Sequence, residues 1–208
     1  MNNYPWFDNA LLSEFSDDRI LAGGVDEVGR GALFGPVVAA TVVSPILDLP
    51  KLIAIGVRDS KKLSAKRREE LVKPIQEIVI DWQISYASVA EIDHLNILQA
   101  SLLAMKRSVS QLSITPDICL VDGNFPIPGL SIAQKTVIKG DERSPLIAAA
   151  SILAKVWRDQ LIVNMAIEYP EYDLAANKGY PTQKHRLALQ QYGASLEHRS
   201  SFKGVKLE

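Results

Sequence analysis

The 208-residue sequence predicts an α/β chain: one mixed central sheet flanked by helices, followed by a small helical extension at the C-terminus. Three observations carry this prediction. Two β-prone runs come first and are joined through glycines; later β-prone runs alternate with helical patterns; and 47% of the residues are hydrophobic without any apolar run near the ~20 residues of a membrane span. A chain of this length buries roughly 70% of its extended surface, enough for a core that needs no staples.

Residues 22–28 and 36–43 read as two short strands of small and β-branched residues. The second, Val37-Val38-Ala39-Ala40-Thr41-Val42-Val43, is almost continuously apolar, as a strand covered on both faces should be. Residues 82–87 alternate as a third strand. Ser88 and Glu91 have capping-box spacing, so a helix starts there. Leu95, Leu98, Leu102, Met105, Val109 and Leu112 continue it as a single apolar stripe, with acids at its start and Lys106 and Arg107 toward its end, as the helix dipole prefers. Residues 118–121 and 132–138 form two further strands, followed by Asp122-Gly123 and Gly140-Asp141. Ser144 and Pro145 then cap and open a helix that runs through Ala148-Ala149-Ala150-Ser151 to about Tyr169, its small residues permitting close packing on a sheet. Thr182 caps a last helix, 183–192, which ends at Gly193. Pro74, within a helical pattern, either kinks that helix or marks its first turn.

Lys51 to Lys73 holds eight basic side chains against three acids, and 178–206 holds six against Glu197. Each arm is net +5, so the formal charge of −1 leaves −11 on the rest of the chain. A solvated helix face is the plainer account of either arm and phosphate binding the sharper one. The single cysteine, Cys119, and the lack of a leader pattern in the first 25 residues lead us to expect a reducing cytoplasm.

The acids are concentrated where strands end. Asp26 and Glu27 are adjacent among Gly, Val and Ala, and Asp122 and Asp141 occupy matching places after later strands. If those ends lie together, four carboxylates converge, and divalent cations relieve their repulsion. The three histidines lack ligand spacing, and oxygen-only ligation favours Mg2+ or Mn2+ over Zn2+. Two such ions activate water and stabilise the leaving oxygen in phosphodiester hydrolysis. Taken singly, each aspartate beside glycine is also an ordinary turn residue. Gly29-Arg30-Gly31 follows the acid pair, and its exposed amides could meet a phosphate or sugar. The G-x-G-x-x-x-G spacing before a β-prone run is not the dinucleotide-binding fingerprint, and a plain hairpin turn is the remaining alternative.

Gly24-Val25-Asp26-Glu27-Val28-Gly29-Arg30-Gly31 with Gly35-Pro36-Val37-Val38-Ala39-Ala40 resembles the N-terminal signature of the ribonuclease HII family. The resemblance continues in order through Asp59-Ser60-Lys61-Lys62-Leu63-Ser64, Glu91 to Ile97, Val121-Asp122-Gly123, Val137 to Asp141, Ala148 to Lys155, and Asn177-Lys178-Gly179-Tyr180-Pro181-Thr182 with His185. It implies a ribonuclease H-like fold, with a catalytic domain over 1–175 and an extension over 176–208 that packs on it and contributes to substrate binding. It also implies an endoribonuclease that uses Mg2+ or Mn2+ in a two-metal mechanism on RNA/DNA hybrid duplexes and ribonucleotide-containing DNA. By the same resemblance Asp26, Glu27, Asp122 and Asp141 hold the metal and are catalytic. Gly29, Arg30 and Gly31 read the ribose 2′-hydroxyl, Tyr180 packs on the neighbouring deoxyribose, and Lys61 and Lys62 meet phosphates. For Tyr180 and the two lysines, core packing and a solvated surface are the plain alternatives.

Asp159, four residues from Lys155 on one helix, is read first as a structural ion pair. Glu142 could replace Asp141 if the loop rotates. Ala32, Trp157 and Ser200 depart from the family pattern, the last removing one candidate phosphate contact. The other readings are a DNA junction nuclease of related fold and a noncatalytic hybrid-binding module. We expect a monomer that does not enter membranes. The run 202–208 has no paired-aromatic clamp-binding signature, and Leu207-Glu208 is consistent with a cloning remnant.

Overall fold

The computed structural model describes residues 20–205. The expectations placed on the first 19 residues and on Leu207-Glu208 lie outside that range. Five strands form one mixed sheet: β1 (Leu21–Val28), β2 (Val37–Pro45), β3 (Asp81–Ala87), β4 (Ile118–Asp122) and β5 (Ala133–Val137), in the order β3-β2-β1-β4-β5. The first three pair antiparallel, while β4 joins β1 and β5 joins β4 in parallel. Every residue from Val37 to Ser44 is buried, as the continuous apolar run of β2 requires.

One face of the sheet is covered by α6 (Pro145–Met165), with α1 (Leu49–Ala54) and α2 (Ala65–Ile78) beside it. Residues Leu146 to Ala154 of α6 are all buried. The contact is close because β1 offers glycine there: a Cβ on Gly24 would lie 2.3 Å from the carbonyl carbon of Leu146. The opposite face carries α3 (Val89–Leu95) and α4 (Ile97–Ser110), whose Leu102, Met105 and Val109 pack against Val25, Cys119 and Val121.

Two local expectations are corrected, and of the two readings of Pro74 the first-turn one is excluded. The stripe from Leu95 to Leu112 does not belong to one helix, because Asn96 has φ 72° and its side chain accepts from the amides of Leu98 and Gln99, ending α3 and capping α4. With ψ 162° this is a backbone conformation that residues other than glycine rarely adopt, and the two amides its side chain caps hold it there, which outweighs an unbroken apolar period. The long helix ends at Met165, and Pro170 instead opens a 3₁₀ turn over Pro170–Tyr172. Pro74 lies in the interior of α2, well past its first turn. The Ser88–Glu91 capping box is present in full.

After α6 come the single-turn α7 (Leu174–Asn177) and α8 (Gln183–Tyr192), capped by Thr182 as expected. Tyr172, Leu174, Ala188, Leu189 and Val205 form a third core with Leu33, Phe34 and Ile162, so this segment packs on the loop after β1 and on the end of α6. Among the described residues no helix is long and apolar enough to cross a membrane.

Candidate active site

Strand register brings two of the acids together. The β1–β4 rungs run from Ala22↔Ile118 to Val25↔Val121, so Asp26 and Asp122 each follow the last rung and stand level on adjacent parallel strands. Residues two apart share a face, and Val28 and Leu120 pack toward α6, so both aspartates point to that side. Carboxylate oxygens of Asp26, Glu27 and Asp122 lie within 4.8 Å of one another. Asp122 is further fixed by the Gly140 amide, which donates to its Oδ1 at 2.6 Å. Asp141 is buried nearby, but on the one-turn helix α5 (Gly140–Arg143) rather than directly at the end of β5. Its Oδ2 accepts from Lys61 Nζ at 2.8 Å.

Burial pushes the Asp26 carboxyl well above the usual carboxylate range; Glu27, Asp122 and Asp141 add repulsion, and the Ser151 hydroxyl only partly opposes them. Glu27 is raised by burial and partly relieved by Arg30, whose Nη1 lies 3.1 Å from Oε1. Asp122 is raised by burial against the pull of the Gly140 amide. Three crowded carboxylates with raised pKa values and oxygen-only donors suit a hard divalent cation, so the residues present fit Mg2+ or Mn2+.

The triad floors a cleft of about 390 Å³ that Gly29, Arg30, Gly31, Lys61 and Tyr180 also line. All the sequence-predicted site residues except Asp141 and Lys62 are thus brought together in its lining. Lys61 rests on Asp141, and Lys62, which does not line the cleft, lies 3.7 Å from Asp59 and 3.8 Å from Glu142. Asp159 pairs with Lys155 at 2.7 Å and lines a neighbouring pocket rather than the cleft. Tyr180 is half-buried, its ring centre 5.4 Å from Lys155 Nζ and 5.6 Å from Arg158 Cζ.

Sequence reasoning missed several residues around the cleft. Ser60, Arg68, Ser151 and Lys155 line it, and Ser60 Oγ lies 2.9 Å from Ser151 Oγ. Ser60, Ser151 and Lys155 stood within the blocks that resemble the family and Arg68 within the first basic arm, but nothing in the sequence paired Ser60 with Ser151. Two buried arginines fasten the glycine loop from beneath. Arg158 donates to the carbonyls of Pro36, Lys178 and Phe34 at 2.9 to 3.0 Å. Arg199 donates to those of Gly35 and Arg30 at 2.9 and 3.0 Å, while its Nη2 has no partner among the described residues. Burial lowers both guanidinium pKa values, that of Arg199 to about 9. Gly29 is required above Arg158: φ is +92° and a Cβ would lie 2.2 Å from Nε. Arg199 was counted in the second basic arm, yet it is fully buried and is withdrawn from any phosphate.

Two histidines far apart in sequence meet as well. Ser195 N–H donates to His198 Nδ1, so His198 Nε2 carries the proton and donates to His185 Nε2 at 3.0 Å; His185 Nδ1 in turn donates to the Tyr180 carbonyl. The relay requires both rings neutral, and burial with the neighbouring ring pushes His198 down to about 4. Ser200 serves as a tether. The amides and hydroxyls of Ser200 and Ser201 donate to Asp93 at 2.5 to 3.0 Å, tying the C-terminal segment to α3. Trp157 lies outside the cleft, stacked on Tyr86.

The comparisons agree with this geometry. The family model described as ribonuclease HII matches residues 23–205. The ribonuclease HII of Trichormus variabilis is 55% identical over 207 residues, spanning 100% of this chain and 91% of that one. That of Acaryochloris marina is 60% identical over 179 residues, 86% of this chain and 90% of its own. Among solved structures, ribonuclease H2 from Pyrococcus horikoshii superposes with a TM-score of 0.76 at 27% identity, covering 89% of this chain and 95% of that one. The Archaeoglobus fulgidus ribonuclease HII solved with PCNA gives 0.72 at 29%, covering 88% and 96%. The carboxylates clustered on one mixed sheet, the matched family model and these near-full-length relatives lead to one conclusion: the chain belongs to the ribonuclease HII family.

Proposed function

We propose that this metal-dependent endoribonuclease H hydrolyses the phosphodiester on the 5′ side of a ribonucleotide, in RNA/DNA hybrids and in DNA duplexes with embedded ribonucleotides, leaving 3′-hydroxyl and 5′-phosphate ends. The observation that carries the proposal is the carboxylate triad set beside an open glycine turn in one cleft. Asp26, Glu27 and Asp122 would hold Mg2+ or Mn2+, with Asp141 joining them. A divalent ion there supplies positive charge for the phosphoryl oxygens and lowers the pKa of water.

The chain's own residues do the rest. A Cβ on Gly31 would meet nothing within 4 Å, so the backbone there is open to a sugar, and Arg30 is held beside it by Glu27. The 2′-hydroxyl is the group by which a protein tells RNA from DNA at one nucleotide, and a fixed backbone turn discriminates better than a mobile side chain. Arg158 and Arg199 provide that fixity. Tyr180, on the segment we assign to the 176–208 extension, presents its ring to the same cleft for the adjoining deoxyribose. Lys61, Lys62 and the exposed bases of both arms neutralise phosphates, which offsets the acidic remainder of the chain. We assign the enzyme to the cytoplasm as a monomer, in ribonucleotide excision and RNA primer removal.

The test is a DNA duplex with a single embedded ribonucleotide, incubated with and without Mg2+ or Mn2+. A metal-dependent nick 5′ of that residue is expected. Folded protein that leaves it intact, cuts DNA junctions instead, or binds hybrid without cutting would overturn the proposal.

A further inference from the structure

Three carboxylates line the cleft and Asp141 lies buried beside it; tethered cations sit on two of these four acids, Arg30 on Glu27 at 3.1 Å and Lys61 on Asp141 at 2.8 Å. The two pairs differ in kind. Arg30 and Glu27 are three residues apart, whereas Lys61 reaches Asp141 across 80 residues. Its side chain is 80% exposed while that of the aspartate it holds is 7% exposed, so the ammonium caps a buried acid from the solvent side.

The backbone under Lys61 is firmly anchored. Asp59 Oδ1 accepts from the Lys61 amide at 2.9 Å, and Arg68 Nη1 donates to the carbonyls of Ser60 and Leu63. Ser60 Oγ is joined to Ser151, whose hydroxyl serves Asp26. The ammonium therefore hangs on a flexible four-carbon stem from a fixed point on the cleft wall. It can leave Asp141 without any change in the fold. The three remaining acids already form a compact set, and Asp141, the one outside it, is the acid the lysine covers.

We propose that Lys61 is an exchangeable counter-ion that couples completion of the metal site to arrival of a phosphodiester. Without nucleic acid, Lys61 neutralises Asp141 and opposes a second divalent ion. A phosphate entering the cleft offers the ammonium another anion; Lys61 transfers to it, and Asp141 is released to join the ligand set. Lys61 is thus a positioning residue that acts through Asp141, and its exposed charge is spent on substrate only after being taken from the acid. The inference rests on the proposed function, since it needs a phosphodiester bound in this cleft.

The test is Mn2+ titration, read by calorimetry and by the paramagnetic signal of free Mn2+, in the absence and presence of a nicked duplex bearing a 5′-phosphorylated ribonucleotide, which cannot be cut again. In the wild type we expect one ion without the duplex and a second that binds at least about five-fold more tightly with it, the low end of ordinary site–site coupling. Lys61→Met should bind the second ion without nucleic acid, at least about five-fold more tightly than the wild type does, and lose the dependence on duplex. Lys61→Arg, which keeps the charge, should restore that dependence. Melting curves check that each variant is folded. Unchanged Mn2+ binding in Lys61→Met, or a second wild-type ion indifferent to the duplex, would overturn the coupling. Failure of the proposed function would show separately, as absence of nicking by the wild type on the intact ribonucleotide duplex.

Discussion

Replacing Asp26 by asparagine removes one negative charge from the triad and almost nothing else. The amide oxygen can still accept from the Glu27 N–H, which lies 2.7 Å from Oδ1, and the side chain keeps its volume. With carboxylate oxygens no more than 4.8 Å apart, each ionised pair repels by about 3 kcal/mol at an effective dielectric constant near 20. Asp26 takes part in two such pairs, but its raised pKa means that protonation already relieves part of the repulsion. A net gain of about 2 kcal/mol remains, or roughly 4–8 °C in Tm for a chain of this size. The measurement is calorimetric melting in EDTA at neutral pH, alongside the nicking assay. Asp26→Asn should melt higher than the wild type without metal and should not nick. Mg2+ should raise the wild-type Tm and leave the variant nearly unmoved. The pH dependence follows with a definite sign. Asp26, Glu27 and Asp122 are raised in the folded state, so the metal-free fold holds protons that the unfolded chain has released, and stability falls as pH rises through the folded-state values. Asp26→Asn should flatten that slope. A metal-free variant that melts at or below the wild type would refute the account of the site as charge-strained.

Two further outcomes are expected. Gly29→Ala should lose about 2–4 kcal/mol in urea unfolding, because the added methyl meets Arg158 and the residue must keep φ +92°; a wild-type midpoint would show that Arg158 is not fixed beneath the loop. His198 is neutral in the fold, so its contribution is complete above pH 6.5 and about 3 kcal/mol is lost as pH falls to about 4. An NMR titration of its ring with an ordinary midpoint would contradict the relay to Tyr180.

The acids and the glycine turn were legible because each stands beside a strand whose β-branched residues and flanking glycines are local signals. Their convergence followed once Asp26 and Asp122 were assigned to matching strand ends. The break at Asn96 was hidden by an apolar stripe that runs on across it, since periodicity records which face is buried and not whether the backbone is continuous. Arg158 and Arg199 were illegible for a different reason: their partners are carbonyls, which every residue carries, so nothing marks the recipients. A count of charges assigned Arg199 to the surface. The His185–His198 contact depends on the fold of the C-terminal segment and has no trace in spacing.

The distance in sequence between the acids and Arg199 has a consequence for the chain as it is made. Synthesis delivers every carboxylate of the cluster by residue 141, and domains generally begin to fold from the N-terminal side as they emerge. The glycine turn beside Asp26 can be held by Arg158 at Phe34 and Pro36 but is pinned in full only when Arg199 arrives to take the carbonyls of Arg30 and Gly35. A partly made chain can therefore gather its acids while lacking the rigid turn that would choose a sugar, and discrimination is acquired later than the capacity to attract cations.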